Sequence, residues 1–367
     1  MRIAVFGLSI TSSWGNGHAV TYRGLVRALA AQGHEVLFLE RDVPWYAANR
    51  DMPRPPFCET VLYRRIKDLP ARCVQAVREA DLTVVGSFVP RGVQVGRFVL
   101  DTARGVRAFY DIDTPVTLAA LARGECAYLE PELVAAYDLY LSFTGGPTLG
   151  RLERELGSPM ARPLYCCVDT RRYHPVRRAP QWDLGYLGTY CPTRQPFLSR
   201  LMLEPARGLP EGRFVVAGPQ YPADVDWPAN VRRMEHLPPP EHPGFYAAQR
   251  FTLNLTRADM VAAGWSPSVR LFEAGACGTP VVSDWWQGLD EFFKPGEELV
   301  VARSGQDVAD CLTHMTEPER GRLGRAARAR VLEAHTADIR ARELARYVEE
   351  AASRRGVLTN PDARLSA

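Results

Sequence analysis

A strand–loop–helix–strand pattern opens this chain, returns in its second half, and narrows the possible folds more than any other feature. Residues 3–7 form a continuous apolar run, 8–17 a polar loop, and 18–32 a helix closed by Gly33. A second apolar run follows at 35–39. Strands without polar alternation are buried on both faces, as in a parallel sheet covered by helices. Further strands are expected at 82–86, 107–111, 139–142 and 162–167, before a polar, turn-rich connector just after Val168.

The pattern restarts at 183–187, a strand that ends at Gly188. Strands at 213–217, 231–234 (edge-like), 251–254, 280–283 and 299–302 follow. Helices are expected at 197–203, 267–277, 289–293, 307–316, 317–334 and 337–353. The expected fold is therefore α/β, with two Rossmann-like domains and a ligand cleft between them near the carboxyl ends of the strands. The domains are 1–170 and 171–340. Residues 341–367 form a terminal helix and tail, a helix able to cross back to the first domain.

The chain's 367 residues suit two such domains. Its 45 basic and 42 acidic side chains leave a net charge of +3, too small and too spread for a nucleic-acid footprint. None of the eight cysteines forms a CxxC pair or a zinc-like spacing, which points to reduced thiols and a cytoplasmic setting. No apolar run reaches the roughly 18 residues of a spanning helix, and the first residues read as a strand rather than a leader. Peripheral membrane contact stays open, and the oligomeric state is not legible.

The chemistry concentrates in 266–284. Ser266 is expected to cap a short helix, Pro267 to fill its first position and Gly278 to end it. Glu273 is the one carboxylate on an otherwise apolar and small helix. A helix start that attracts phosphate, with a carboxylate for ribose hydroxyls, suits a nucleoside diphosphate. An ordinary surface helix is the alternative. Arg194, Arg257 and Arg270 are candidate phosphate ligands, helped by Thr189, Ser268 and the backbone at Gly188, Gly288 and Leu289. Trp285 and Trp286 either line this pocket or cover core.

In the first half, Gly15, Asn16 and Gly17 precede a helix without matching GxGxxG or GxxxxGK[ST], which weighs against a dinucleotide dehydrogenase and a P-loop ATPase. They are candidate acceptor contacts. His18 is a candidate base or orienting group, with a cap as the alternative. Asp111 and Asp113 at i,i+2 admit a DxD metal reading, but the following Thr-Pro favours a rigid loop, with Asp113 holding or deprotonating a hydroxyl. No metal site or bound cofactor is expected.

The run from Arg270 through Gly278 to Val282, with Gly288–Phe293, Asn254–Arg257 and Tyr110–Pro115, resembles the GT-B glycosyltransferases. It is most similar to their group-1, GT4-like branch and its CgeB-type bacterial relatives. That resemblance implies a metal-independent hexosyltransferase with a nucleotide-sugar donor on the second domain and an acceptor (small molecule, glycan or cell-surface precursor) on the first. It assigns Glu273 to the nucleotide ribose. The GT4 branch usually has an acidic residue eight positions earlier; here that position is Trp265. Two rivals remain at this level: an epimerase of the same build, and a non-catalytic nucleotide-sugar-binding protein.

Overall fold

The computed structural model describes residues 1–15 and 17–356, so Asn16 and the end of the tail lie outside the described residues. The chain divides into two compact units, Met1–Tyr165 together with the segment from Ala337 onward, and Cys166–Thr336. Against the expected boundaries of 170 and 340, the divisions thus fall at 165/166 and 336/337.

The first unit is built on a seven-stranded sheet: β1 (Arg2–Gly7), β2 (Glu35–Arg41), β3 (Glu59–Tyr63), β4 (Leu82–Gly86), β5 (Val106–Asp111), β6 (Leu139–Ser142) and β7 (Ala161–Pro163). Its order is β3-β2-β1-β4-β5-β6-β7, with every neighbouring pair parallel. Ile3 sits opposite Val36 on one side and Leu82 on the other, so both neighbours of β1 continue its buried character. Sequence neighbours extend one way from β1 as far as β3, and the chain then returns to its other side at β4. That reversal opens a crevice above the carboxyl ends of β1 and β4. The helix Gly17–Ala31 follows β1 and packs against the helix Ala337–Arg354, which ties the last described segment to the first unit.

The second unit repeats the plan with β8 (Trp182–Leu187), β9 (Phe214–Ala217), β10 (Val231–Met234), β11 (Gln249–Asn254), β12 (Val281–Ser283) and β13 (Val300–Val301). Their order is β10-β9-β8-β11-β12-β13, again all parallel, with the reversal between β8 and β11. The core between this sheet and its helices includes Leu184, Phe214, Phe251, Leu253 and Val282, all fully buried. Each such side chain contributes roughly 1.5–3 kcal/mol of transfer free energy.

Two local expectations need correction. The helix expected at 267–277 runs from Val269 to Ala276, and its cap is Ser268, whose hydroxyl accepts from the Arg270 amide at 3.3 Å. Ser266 is buried two residues upstream, and the Pro267 carbonyl accepts from the Cys166 thiol, so the chain is still extended there. Gly278, at φ +72°, lies just past the last helical turn. The strand expected at 162–167 shrinks to β7, and the half-exposed β3 has no apolar run to announce it.

Candidate functional site

In the second unit, Arg270 occupies the reversal point. It is 6% exposed, and its Nε donates to the Leu187 carbonyl at the end of β8, at 2.6 Å. Nη1 donates to Asn254 Oδ1 at the end of β11, at 3.0 Å, and more weakly to Ser268 Oγ. The guanidinium lies over the Tyr186 ring, 4.7 Å from its centre. One side chain thereby spans the two strand ends between which the connectivity reverses. A Cβ added to Gly188 would come within 2.9 Å of Nη2 and 2.6 Å of the Tyr186 hydroxyl, so only glycine leaves Nη2 this space. A permanent cation is held there with part of its donor fork not used by the protein, an arrangement suited to an anion.

Glu273 lies one helical turn further on and is 5% exposed. Its Oε2 accepts from the Tyr246 hydroxyl at 2.9 Å, and the Tyr173 hydroxyl is hydrogen-bonded to His242 Nδ1 at 3.1 Å. Burial first, then the Glu273 charge, pushes both phenols well above their usual range. Tyr246 is therefore a fixed donor that sets the direction of the carboxylate. Neither tyrosine stands out in the sequence, because both read as ordinary core aromatics.

Arg194 and Thr189 meet in the loop after β8, where Arg194 Nη2 donates to the Thr189 carbonyl at 2.8 Å. The Arg194 Nε is buried without a hydrogen-bond partner. Arg257 caps the helix Ala258–Ala263. Burial would raise the Cys191 thiol, but hydrogen bonds from Thr193 and the charges of Arg194 and Arg257 outweigh it and lower the pKa. The three candidate arginines thus share one edge of the second sheet, at the ends of β8 and β11.

Gly288 and Leu289 are placed differently. The Leu289 amide donates to the Trp286 carbonyl and its side chain is fully buried. Gly288, at φ +86°, lies against the indole of Trp265. The Leu289 amide is thus taken up within the protein. Trp286 is core, packed against Phe292, whereas Trp285 is exposed.

Two residues beside this site were not among the candidate ligands. Asn254 anchors Arg270, and Asp284 accepts from the Thr256 amide and hydroxyl, both at 3.0 Å. Burial raises Asp284 to about 6, against the pull of those bonds. Each ends an apolar strand at its carboxyl edge, and that position was the available signal.

At the reversal point of the first unit, His18 Nε2 lies 3.9 Å from Asp113 Oδ2, with 12% and 17% of the two side chains exposed. The edge of the His18 ring meets Phe88, centroids 5.4 Å apart, and Phe88 holds a left-handed φ of 61°. Strain of this kind concentrates at functional sites. Phe88 is a further residue with no motif to announce it. Asp111 and Asp113 part company at the turn formed by 112 and 113. Asp111 is fully buried and accepts from Tyr140 at 2.6 Å and Thr117 at 2.8 Å. Burial raises it to about 6, with the Asp113 charge adding to the effect. The two carboxylates thus have separate partners instead of forming one DxD pair. Among the described residues, no group of three or more His, Cys, Asp or Glu side chains could hold a metal ion.

The loop before His18 is anchored from below. Buried Glu40 accepts from the Ile10 amide, the Thr11 amide and the Thr11 hydroxyl at 2.6–3.0 Å. Arg23 bridges the Ile10 carbonyl and Asp51, which also receives Ser13. Burial works to raise Asp51, yet the bonds from Arg23 and Ser13 hold it well below the usual carboxylate range. A Cβ added to Gly15 or Gly17 would meet no atom within 4 Å, so both border open space. No described helix is long and apolar enough to cross a membrane.

Residues 194–346 match a family described as glycosyl transferase-like. No curated protein matches the sequence. Among solved structures, the chain is similar to a sucrose-phosphate synthase from Thermosynechococcus elongatus. The two are 15% identical with a TM-score of 0.67, covering 96% of this chain and 99% of that one. It is similar to an alpha-glucosyltransferase in complex with UDP at 13% identity and TM-score 0.71, covering 95% and 100%. It is also similar to HepE of Anabaena, in complex with UDP and glucose, at 14% identity and TM-score 0.67, covering 95% and 100%. The fold is the expected one, two Rossmann-like domains of GT-B type.

Proposed function

We propose that this chain transfers a hexose-type sugar from a nucleoside diphosphate donor to a hydroxyl or amine of a small molecule, glycan or cell-surface precursor. The observation that carries the reading is Arg270, a buried cation at the reversal point of the second sheet with Nη2 held above Gly188. There it would meet the diphosphate, with Arg194, Arg257 and Thr189 beside it and Glu273 toward the ribose. Structural neighbours crystallised with UDP, or with UDP and glucose, favour a donor of that class. The family match over 194–346 covers the same region.

In the first unit, His18 and Asp113 are assigned to the acceptor, near Gly15, Gly17 and Asn16. On an inverting course, the acceptor oxygen bonds to the anomeric carbon as that carbon's bond to the diphosphate breaks. The acceptor proton passes to His18, which Asp113 orients. On a retaining course, the departing phosphate takes the proton. In either case the cationic groups stabilise charge developing on the leaving diphosphate. The reading includes a metal-independent, cytoplasmic enzyme of the GT4-like, CgeB-type group, in keeping with eight unbridged cysteines.

The test is calorimetric binding of UDP, GDP, ADP and dTDP, followed by transfer assays with the matching sugar nucleotides. Glu273→Ala should weaken donor use far more than acceptor binding. His18→Ala should lower turnover and leave donor affinity within about two-fold. Failure of all four nucleotides to bind would sink the reading. Conversion of donor to an epimer without acceptor would favour the epimerase instead.

A further inference from the structure

A cavity of about 600 Å³ opens at the outer end of the first sheet, over the carboxyl ends of β2 and β3. Residues 41–44 and Ala47 wall one side, and Arg64, Arg65 and Asp68 the other. In the strand order β3-β2-β1, neighbours about 4.8 Å apart put the end of β3 roughly 10 Å from the end of β1.

The charges around this cavity do not balance. Arg65 is committed to Asp68 in a two-pronged pair at 2.8 and 3.0 Å. Asp42 is taken by Arg50, which reaches it from outside the lining at 2.6 Å and also bonds the Thr11 hydroxyl at 3.1 Å. Arg64 stays 3.9 Å from Asp42, beyond hydrogen-bonding distance, with its side chain 84% exposed. Arg41 donates through Nε to the Arg64 carbonyl at 3.1 Å, and its two Nη groups bond no described residue. Two guanidinium groups therefore border one cavity whose carboxylates are already engaged.

Like charges so placed repel, and a doubly charged anion between them removes the repulsion. Guanidinium forks also match phosphate oxygens in pairs. The Nε bond of Arg41 ties its fork across the ends of β2 and β3, so that part of the grip is set before a ligand arrives. Val43, Pro44 and Ala47 add an apolar wall, and Trp45, 58% exposed, stands on the same short helix, Pro44–Ala47. An anion with an organic part attached uses both surfaces.

We propose that this cavity is a phosphate-binding site, gripped by Arg41 and Arg64, for a phosphate ester whose organic part lies along Val43, Pro44 and Ala47. The ester is either a soluble sugar phosphate or a lipid headgroup, which share this chemistry. None of its residues belongs to the donor site, so the donor reading can fail without touching it.

The first arm of the test is calorimetry at low ionic strength, with glucose 6-phosphate and glucose as probes. The second is sedimentation with vesicles of phosphatidylcholine alone or mixed with phosphatidate. Arg41→Gln/Arg64→Gln should weaken the phosphate-dependent binding at least about five-fold. Nucleoside diphosphate affinity should change less than about two-fold, which separates this site from any phosphate held at Arg270. If the double variant does not fold, Arg64→Glu alone replaces it, since that side chain is largely in solvent. Arginine-dependent binding in the first arm assigns a soluble ester, and in the second arm alone a lipid headgroup. Binding in neither arm, binding that the substitutions leave unchanged, or equal affinity for glucose and glucose 6-phosphate overturns the site.

Discussion

Arg270 is held so tightly that its three terminal positions have distinct tasks. Two are hydrogen-bonded within the protein, to Leu187 and Asn254, while Nη2 stands over Gly188. Charge-assisted bonds of this type are worth about 1.5–3 kcal/mol each, or roughly 10- to 100-fold in affinity. Arg270→Ala should therefore weaken nucleoside diphosphate binding by about that factor, as read by calorimetry. Arg270→Lys should recover little, because an ammonium cannot span both strand ends and still present a fork. Full recovery by lysine would show that only charge matters. This residue was legible in the sequence as a candidate, one turn before Glu273. Its anchor Asn254 was visible only as part of a motif, because pairing between residues sixteen apart depends on which strand ends the sheet brings together.

The elements of the second unit meet through glycines at tight points. The helix Glu317–Ala334 crosses the turn after Val269–Ala276, where a Cβ on Gly324 would fall 2.2 Å from the Gly278 carbonyl oxygen. Backbone cannot yield as a side-chain tip can, so Gly324→Ala should destabilise the fold by roughly 1–3 kcal/mol, measured by urea unfolding. Gly188→Ala is the contrasting case. The three atoms nearest its new methyl belong to the ends of the Tyr186 and Arg270 side chains. We expect about a ten-fold loss of donor affinity with an unfolding midpoint close to wild type. Loss of stability and binding together would place Gly188 in the core support instead. Most strands and long helices were readable from apolar periodicity. The true cap at Ser268 was not, because Ser266 and Ser268 have the same chemistry in sequence and the buried chain before the helix decides between them.

At the scale of the whole molecule, two buried carboxyls among the described residues lie above their usual range. Asp111 and Asp284 are both raised to about 6, chiefly by burial. A raised acid binds its proton more tightly in the folded state than in the unfolded one. Its stabilising effect is complete below the ordinary carboxylate value and is lost as pH rises toward about 6. The melting temperature of wild type should therefore fall more steeply than that of Asp111→Asn between pH 4 and about 6.5. Parallel curves would show that Asp111 keeps an ordinary affinity for its proton. The two-unit plan was legible from the repeated strand–helix pattern, but this titration was not. In sequence Asp111 is simply half of a DxD pair, and only the depth of β5 separates it from Asp113.

The helix Ala337–Arg354 belongs with residues more than 170 positions earlier, so the second unit is an interruption in the chain of the first. Its own two ends are paired: Val168 bridges to Thr336, and the Val168 amide donates to the His335 carbonyl at 3.1 Å. A segment that enters and leaves at one doorway can be lifted out of its host with little unravelling. Residues 166–336 made alone should fold and retain nucleotide affinity, whereas the first unit needs a short peptide bridge to rejoin its severed halves.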